Sequence, residues 1–431
     1  MIRSKRLLAV GLVAALGLVA AACGDDDDSG SSATTAGGAA PTTTEASGSA
    51  TTSAGTKAAT TTTTTSKAGS TTTTKSGSTT TTKAGSTTTT KGGSSSSTAP
   101  EGSLAPAVEN PKVGLLYDIT GRGDRSFNDA AAAGLDKAKA AVGAVGTEST
   151  PSSEGDRAER LAGLEATGQD YIIGVGFLWG NSIQEAAVKN TGQKYGLIDS
   201  VAVDTKGTPD DSSDDVVLNN VKSMTFAEEQ GSFLVGAAAA LKTKSDKIGF
   251  IGGVENDLIK KFEAGYIAGA EAVNPDIEVV TQYITQPPDF TGFNDPAKGK
   301  EIATSMYGDG ADVVYAAAGG SGLGVIQAAS ETGKEGEVWT IGVDSDQYNL
   351  VDAALQPYVL TSMLKKVDIA VDQSIQDLAN GKWAGGVTVY DLEAGGVDYA
   401  TSGGFVDDIK DQLDDYKQQI IDGKIEVPTK P

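Results

Sequence analysis

From Val113 onward the sequence predicts an α/β protein of two lobes, each a parallel sheet flanked by helices. Three observations lead there. Short apolar runs alternate with helix-length stretches, and the runs are continuous rather than period-two, the pattern of strands covered on both faces. About 325 residues of such pattern exceed what one core usually serves. The pattern also restarts at Lys247-Ile248-Gly249-Phe250-Ile251-Gly252-Gly253, after a helix and a Lys-Thr-Lys-Ser linker.

In chain order, the first element is a leader. Arg3, Lys5 and Arg6 precede an apolar run from Leu7 to Ala22, a charged head and a secretory h-region of about 16 residues where a membrane span needs about 20. The run ends Ala20-Ala21-Ala22-Cys23, and Cys23 is the single cysteine of the 431-residue chain. Small residues before such a thiol resemble a lipoprotein cleavage site, with Ala20 where Leu or Val is usual. The expectation is a signal peptide over 1–22 and a membrane lipid on Cys23, which anchors the chain to the outer face of the cell membrane. Residues 23–107 are mostly Thr, Ser, Gly and Ala, too poor in large apolar side chains to build a core, and are expected to be a disordered tether. Lys67, Lys75, Lys83 and Lys91 recur every eight residues within it. A coil of some 80 residues reaches about 50 Å.

The expected strands are Val113–Tyr117, Tyr171–Phe177, Tyr195–Ile198, Val216–Leu218, Ile248–Ile251, Glu278–Tyr283, Val313–Ala317, Val338–Val343 and Tyr358–Leu360. Helix patterns cover Asn128–Val142, Thr225–Lys242, Lys260–Val273 and Ala297–Tyr307. The ligand-binding domain is expected over 108–431. Lobe 1 takes about 108–244 and a segment near 345–385; lobe 2 takes about 245–344 and the rest of the C-terminal part.

Composition excludes several chemistries. The chain has net charge −23, while residues 1–100 hold eight Lys or Arg against five Asp or Glu, which leaves a net −26 on the other 331. A domain that acidic repels phosphate backbones, so no nucleic-acid partner is expected. There is no histidine. With Cys23 committed to the anchor, no Ser-His-Asp triad, Cys nucleophile or zinc site can be assembled, and neither a metal nor another cofactor is expected. Carboxylates alone can still hydrolyse glycosidic bonds, so a nucleoside hydrolase remains the enzymatic alternative to a binding protein.

In open parallel sheets ligands sit beyond the carboxyl ends of strands, and the loops there carry the unusual residues. After the first strand runs Asp118-Ile119-Thr120-Gly121-Arg122-Gly123-Asp124-Arg125-Ser126-Phe127-Asn128. Ser126 or Asn128 is placed to cap the next helix, whereas Phe127 at a polar junction offers a stacking platform for a planar ligand. Arg122-Gly123-Asp124 also spells an adhesion tripeptide. Ala318-Gly319-Gly320-Ser321-Gly322-Leu323-Gly324 fits a dinucleotide fingerprint poorly and suits close backbone approach to a ligand at a helix start. Asp344 ends a strand, and with Lys365 or Lys366 it suits a vicinal diol, the carboxylate accepting from hydroxyls and the ammonium donating.

Four blocks, in order, resemble the basic membrane protein (BMP) lipoproteins, PnrA-like nucleoside-binding relatives of the periplasmic binding proteins. These are Asp118 to Asn128, ending Asp-Arg-Ser-Phe-Asn; Glu228 to Leu234 with Lys247 to Gly253 and Phe262 to Tyr266; Phe293 to Lys300; and Gly342 to Gln347. The resemblance covers nearly all of 112–428 and implies a type I two-lobed fold closing on a hinge. It further implies a purine nucleoside stacked between aromatic rings, Phe127 and one of Phe293, Phe177 or Phe290. Asn128 and Asp118 would read the base edge, Asp344 and Lys365 would hold the ribose, and Gly319 and Gly320 would add backbone contacts. An ABC permease and ATPase on separate chains would be the partners. A sugar bound by the same fold and a wall-displayed adhesive protein are the alternatives.

Overall fold

The computed structural model describes residues 104–208 and 211–431, so the expected leader, tether and lipidation at Cys23 lie outside the described residues. The described chain runs β1 (Lys112–Leu116), α1 (Phe127–Val142), β2 (Val145–Ser149), α2 (Arg157–Ala166), β3 (Tyr171–Gly174), α3 (Gly180–Lys189), β4 (Lys194–Ile198), the short β5 (Val203–Asp204) and β6 (Val216–Val217), and β7 (Val221–Phe226). Next come α4 (Glu228–Lys242), β8 (Lys247–Val254), α5 (Asp257–Val273), β9 (Glu278–Thr285), α6 (Pro296–Gly308), β10 (Val313–Ala317), α7 (Gly322–Thr332), β11 (Trp339–Asp344) and β12 (Val359–Lys365). The chain closes with α8 (Val367–Ala379), β13 (Gly386–Tyr390), β14 (Val397–Tyr399) and α9 (Lys410–Ile421).

Two six-stranded sheets organise these elements, in the orders β13-β7-β4-β3-β1-β2 and β14-β12-β11-β10-β8-β9. Every pairing in the first is parallel, and in the second only β14 runs antiparallel, against β12. In each sheet the second strand lies at the edge and the first sits between it and the third, the doubly wound arrangement whose order reverses beside the first strand. The central strands are buried throughout, Val113 to Tyr117 in one lobe and Ile248 to Val254 in the other. Continuous apolar runs are therefore what these strands require.

The lobe boundaries depart from those expected. The helix α4 packs on α5, β12 and β14, so the first crossing between lobes falls at Phe226–Glu228 rather than near 244. The second falls at Lys365–Val367, since β12 remains in the second sheet and α8 packs on α1. The third joins β13 to β14. The described chain thus passes three times between lobes, and the passages bond to one another, Ala227 N to Tyr390 O at 3.1 Å and Lys366 N to Gly396 O at 2.8 Å.

Element differences have local causes. Strand β7 escapes pattern reading because its Lys222 and Ser223 look like surface residues. In the fold Lys222 pairs with Asp377 at 2.9 Å and Ser223 Oγ accepts from Ala202 N, which makes both tolerable in a covered strand. The expected helix from Thr225 consequently starts at Glu228. The expected strand Val216–Leu218 falls in the β5–β6 hairpin, outside both main sheets. Strand β2, Val-Gly-Thr-Glu-Ser, is an exposed sheet edge with little apolar signal.

Candidate functional site

Between the lobes lies a cleft of about 630 Å³, counting space open to solvent. All nine residues singled out from the sequence line it: Asp118, Phe127, Asn128, Phe177, Phe293, Gly319, Gly320, Asp344 and Lys365. Nearly all stand at strand carboxyl ends or in the loops after them. Asp118 follows β1, Phe177 follows β3, Gly319 and Gly320 follow β10, and Asp344 and Lys365 end β11 and β12. Phe293 arrives from the turn Thr291–Phe293 between β9 and α6.

The β1–α1 loop is fixed by Asp124. Its buried carboxylate accepts from the backbone N–H groups of Ser126, Asn128 and Asp129, which a helix start otherwise leaves unpaired. Burial pushes the Asp124 carboxyl above its usual range, against the pull of those bonds. The cap is therefore Asp124 and not Ser126 or Asn128. With its side chain buried inside the loop and Arg122 turned to Glu148 at 2.6 Å, the Arg-Gly-Asp tripeptide is not presented as an adhesive tip. Asn128 holds the loop to the strand end, accepting from Asp118 N at 2.8 Å and donating to Asp124 Oδ2 at 2.9 Å.

Ser126, freed from capping, donates to Asp344 Oδ2 at 2.6 Å across the cleft. Ser345 Oγ donates to Ser126 O at 3.0 Å, and Gln347 Nε2 donates to Arg125 O at 3.1 Å, so the two lobes meet through this loop. Asp344 has φ +63° and Asp199, just past β4, has φ +68°. Side chains other than glycine's rarely adopt that conformation, and such strain collects where a fold over-determines a site.

Asp199 is one of the cleft residues that sequence reading missed. Its side chain is 4% exposed, and Lys365 Nζ stands 2.7 Å from its Oδ1 and 3.1 Å from Glu228 Oε1. The ammonium also lies 5.1, 5.0 and 5.6 Å from the ring centroids of Phe127, Phe226 and Phe262. The expected ribose-holding lysine is thus already paired with two carboxylates. Burial opposes the Lys365 charge, but Asp199, Glu228 and Asp344 outweigh it and raise its pKa. Burial likewise lifts the Asp344 and Asp199 carboxyls to about 6, against the attraction of Lys365. Asp199 follows a strand that the sequence had identified, so the strand-end rule pointed at it. Glu228 carried no such signal, because its helix was expected to begin earlier.

Of the competing aromatics, Phe293 and Phe177 line the cleft, and Phe290 packs edge-on against Phe177 at 5.9 Å. Gly176, at φ +104°, holds a backbone conformation in which any side chain is strained; a Cβ there would stand 3.1 Å from Asp118 Oδ2 and 3.4 Å from Phe127 Cε1. Gly319, at φ +53°, runs its backbone past Phe293 O. The cleft therefore combines flat apolar faces with carboxylates, one amide and exposed backbone. Among the described residues, no group of three or more His, Cys, Asp or Glu is placed to hold a metal ion, and no helix is long and apolar enough to cross a membrane.

Residues 111–431 match the family model described as ABC transporter substrate-binding protein PnrA-like. The chain is 38% identical over 335 residues to the ABC transporter nucleoside-binding protein BmpA of Lactococcus lactis subsp. cremoris, covering 74% of this chain and 89% of that one. It is 34% identical to basic membrane protein A of Borreliella burgdorferi over 76% of this chain and 90% of the relative. A solved ABC transporter system solute-binding protein from Aeropyrum pernix K1 superposes with a TM-score of 0.63 at 28% identity, covering 74% of this chain and 93% of that one.

Proposed function

The chain belongs to the PnrA-like family of ABC transporter substrate-binding proteins, with the type I two-lobed fold, and on that premise we propose that its cleft captures a purine nucleoside. The observation that carries the reading is one cleft that brings two chemistries together. Phe127 and Phe293 offer faces for a planar base, with Asp118 at the rim of Phe127. Beside the Phe127 ring, Asp344, Asp199 and Lys365 offer acceptors and a donor suited to ribose hydroxyls. Asp199, Asp344 and Glu228 outnumber the ammonium groups of Lys365 and Lys261 there and disfavour a phosphate, so the ligand is a nucleoside rather than a nucleotide.

Binding of one ligand to both lobes would favour the closed state by its differential affinity. The closed surface would then meet a permease, with its ATPase, on separate chains. The protein is read as a carrier without turnover, held to the outer face of the cell membrane by lipid on Cys23. Thermal unfolding against purine and pyrimidine nucleosides, free bases, pentoses and nucleotides tests it. A ligand at 100 times its Kd adds about 2.7 kcal/mol of stability. Stabilisation by purine nucleosides that Phe127→Ala removes supports the reading. Stabilisation by sugars alone, or chromatographic loss of the bound nucleoside, overturns it.

A further inference from the structure

We propose that Arg157 is a positioning residue that holds Asp118 as a fixed hydrogen-bond acceptor and thereby makes the cleft prefer 6-oxopurine nucleosides to 6-aminopurine ones. The inference rests on the nucleoside reading above. Arg157 opens α2 and is buried, with Nη2 2.7 Å from Asp118 Oδ1 and its guanidinium carbon 5.0 Å from the centre of the Trp179 ring. That ring is itself buried and fixed, since its Nε1 donates to Tyr117 O at 3.0 Å. The guanidinium is thus clamped between an immobile indole and the carboxylate, a geometry that lysine's point charge does not reproduce.

Asp118 Oδ1 also accepts from Ile119 N at 2.8 Å, which fixes the plane of the carboxylate. Its Oδ2 lies beside Phe127 Cε1, both within 3.4 Å of where a Cβ on Gly176 would stand. The edge of a base stacked on Phe127 arrives there. A carboxylate paired with a guanidinium only accepts hydrogen bonds.

The neighbouring amide of Asn128 cannot turn over, because its oxygen already accepts from Asp118 N while its nitrogen gives one hydrogen to Asp124 Oδ2. Its second N–H is the one left to donate. An acceptor beside a donor complements the N1–H and O6 of hypoxanthine or guanine. Adenine presents the reverse, a lone pair at N1 and hydrogens at N6, and so sets its lone pair against the carboxylate. A site built to hydrogen-bond one pattern rejects a ligand that leaves its polar groups unpaired.

The test is titration calorimetry on the full-length chain with inosine, guanosine, adenosine and 1-methylinosine. The expected result is inosine and guanosine bound at least tenfold more tightly than adenosine, with 1-methylinosine, which lacks the N1–H, losing at least tenfold against inosine. Arg157→Gln should bring the inosine-to-adenosine ratio toward one, and Arg157→Lys should recover only part of it. Asp118→Asn, whose amide can donate to N1, should shift the ratio toward adenosine. The proposal is overturned if nucleosides bind while the unmodified protein favours adenosine or tolerates 1-methylinosine. It is equally overturned if Arg157→Gln weakens every nucleoside by the same factor, the mark of a merely structural arginine. If no nucleoside binds, the nucleoside reading falls and takes this one with it. The 1-methylinosine comparison needs no variant and decides the matter should Arg157→Gln fail to fold.

Discussion

Replacing Lys365 with Met isolates what one buried cation contributes where β12 hands the chain to the other lobe. Methionine preserves most of the stem volume and can still lie among Phe127, Phe226 and Phe262, so packing changes little. The loss is electrostatic: Asp199, 2.7 Å from the ammonium, stays buried without its counter-ion, while Glu228, 3.1 Å from it, keeps Lys261 at 3.1 Å. Breaking a buried pair from one side costs about 3 to 5 kcal/mol. The Asp199 carboxyl already stands at about 6, raised by burial and restrained by Lys365, so removing the lysine lifts it further. Below that pH the folded carboxyl is neutral in both proteins, while the unfolded one ionises near 3.8 in both. The cost is therefore largest above pH 7 and shrinks as the pH falls toward 5. Urea denaturation at pH 7.5 and pH 5.0, with equal m-values, reads this directly. A cost below about 1 kcal/mol at pH 7.5, or one that grows at pH 5.0, would refute the argument from buried charge.

Asp344→Asn should stabilise the ligand-free protein at pH 8 and lose that advantage by pH 4. The wild-type carboxyl is raised from 3.8 to about 6, so its folded state is penalised increasingly as pH rises through that window. A rise of that size corresponds to at most about 3 kcal/mol, and denaturation curves across pH should show the difference closing. Ser126→Ala breaks the buried bond to Asp344 and should cost about 1 to 3 kcal/mol in chemical denaturation. It should leave the start of α1 protected in hydrogen exchange, because the cap is Asp124; Asp124→Ala should expose it. Gly176→Val, forced to φ +104° against Asp118 Oδ2, should cost about 1 to 3 kcal/mol of stability and abolish the thermal shift given by nucleosides.

The sequence alone determined the elements whose signal is local. Continuous apolar runs marked β1, β3, β4, β8 and β10, because a strand covered on both faces must be apolar along its whole length. The rule that ligands gather beyond strand ends, with the ordered family blocks, brought nine residues to one cleft. What the sequence could not reveal depends on groups far apart along the chain. Lys222 reads as surface until Asp377 is beside it, so β7 was lost and the start of α4 misplaced. Ser126 reads as a cap until Asp124 is seen to take the backbone donors and Asp344, some 218 positions on, is seen to accept its hydroxyl. Lys365 reads as a free ligand contact until Asp199 and Glu228 close around it. The cost of leaving a buried polar or charged group unpaired is met by whichever partner the three lobe crossings deliver. Only the tertiary structure decides which partner that is.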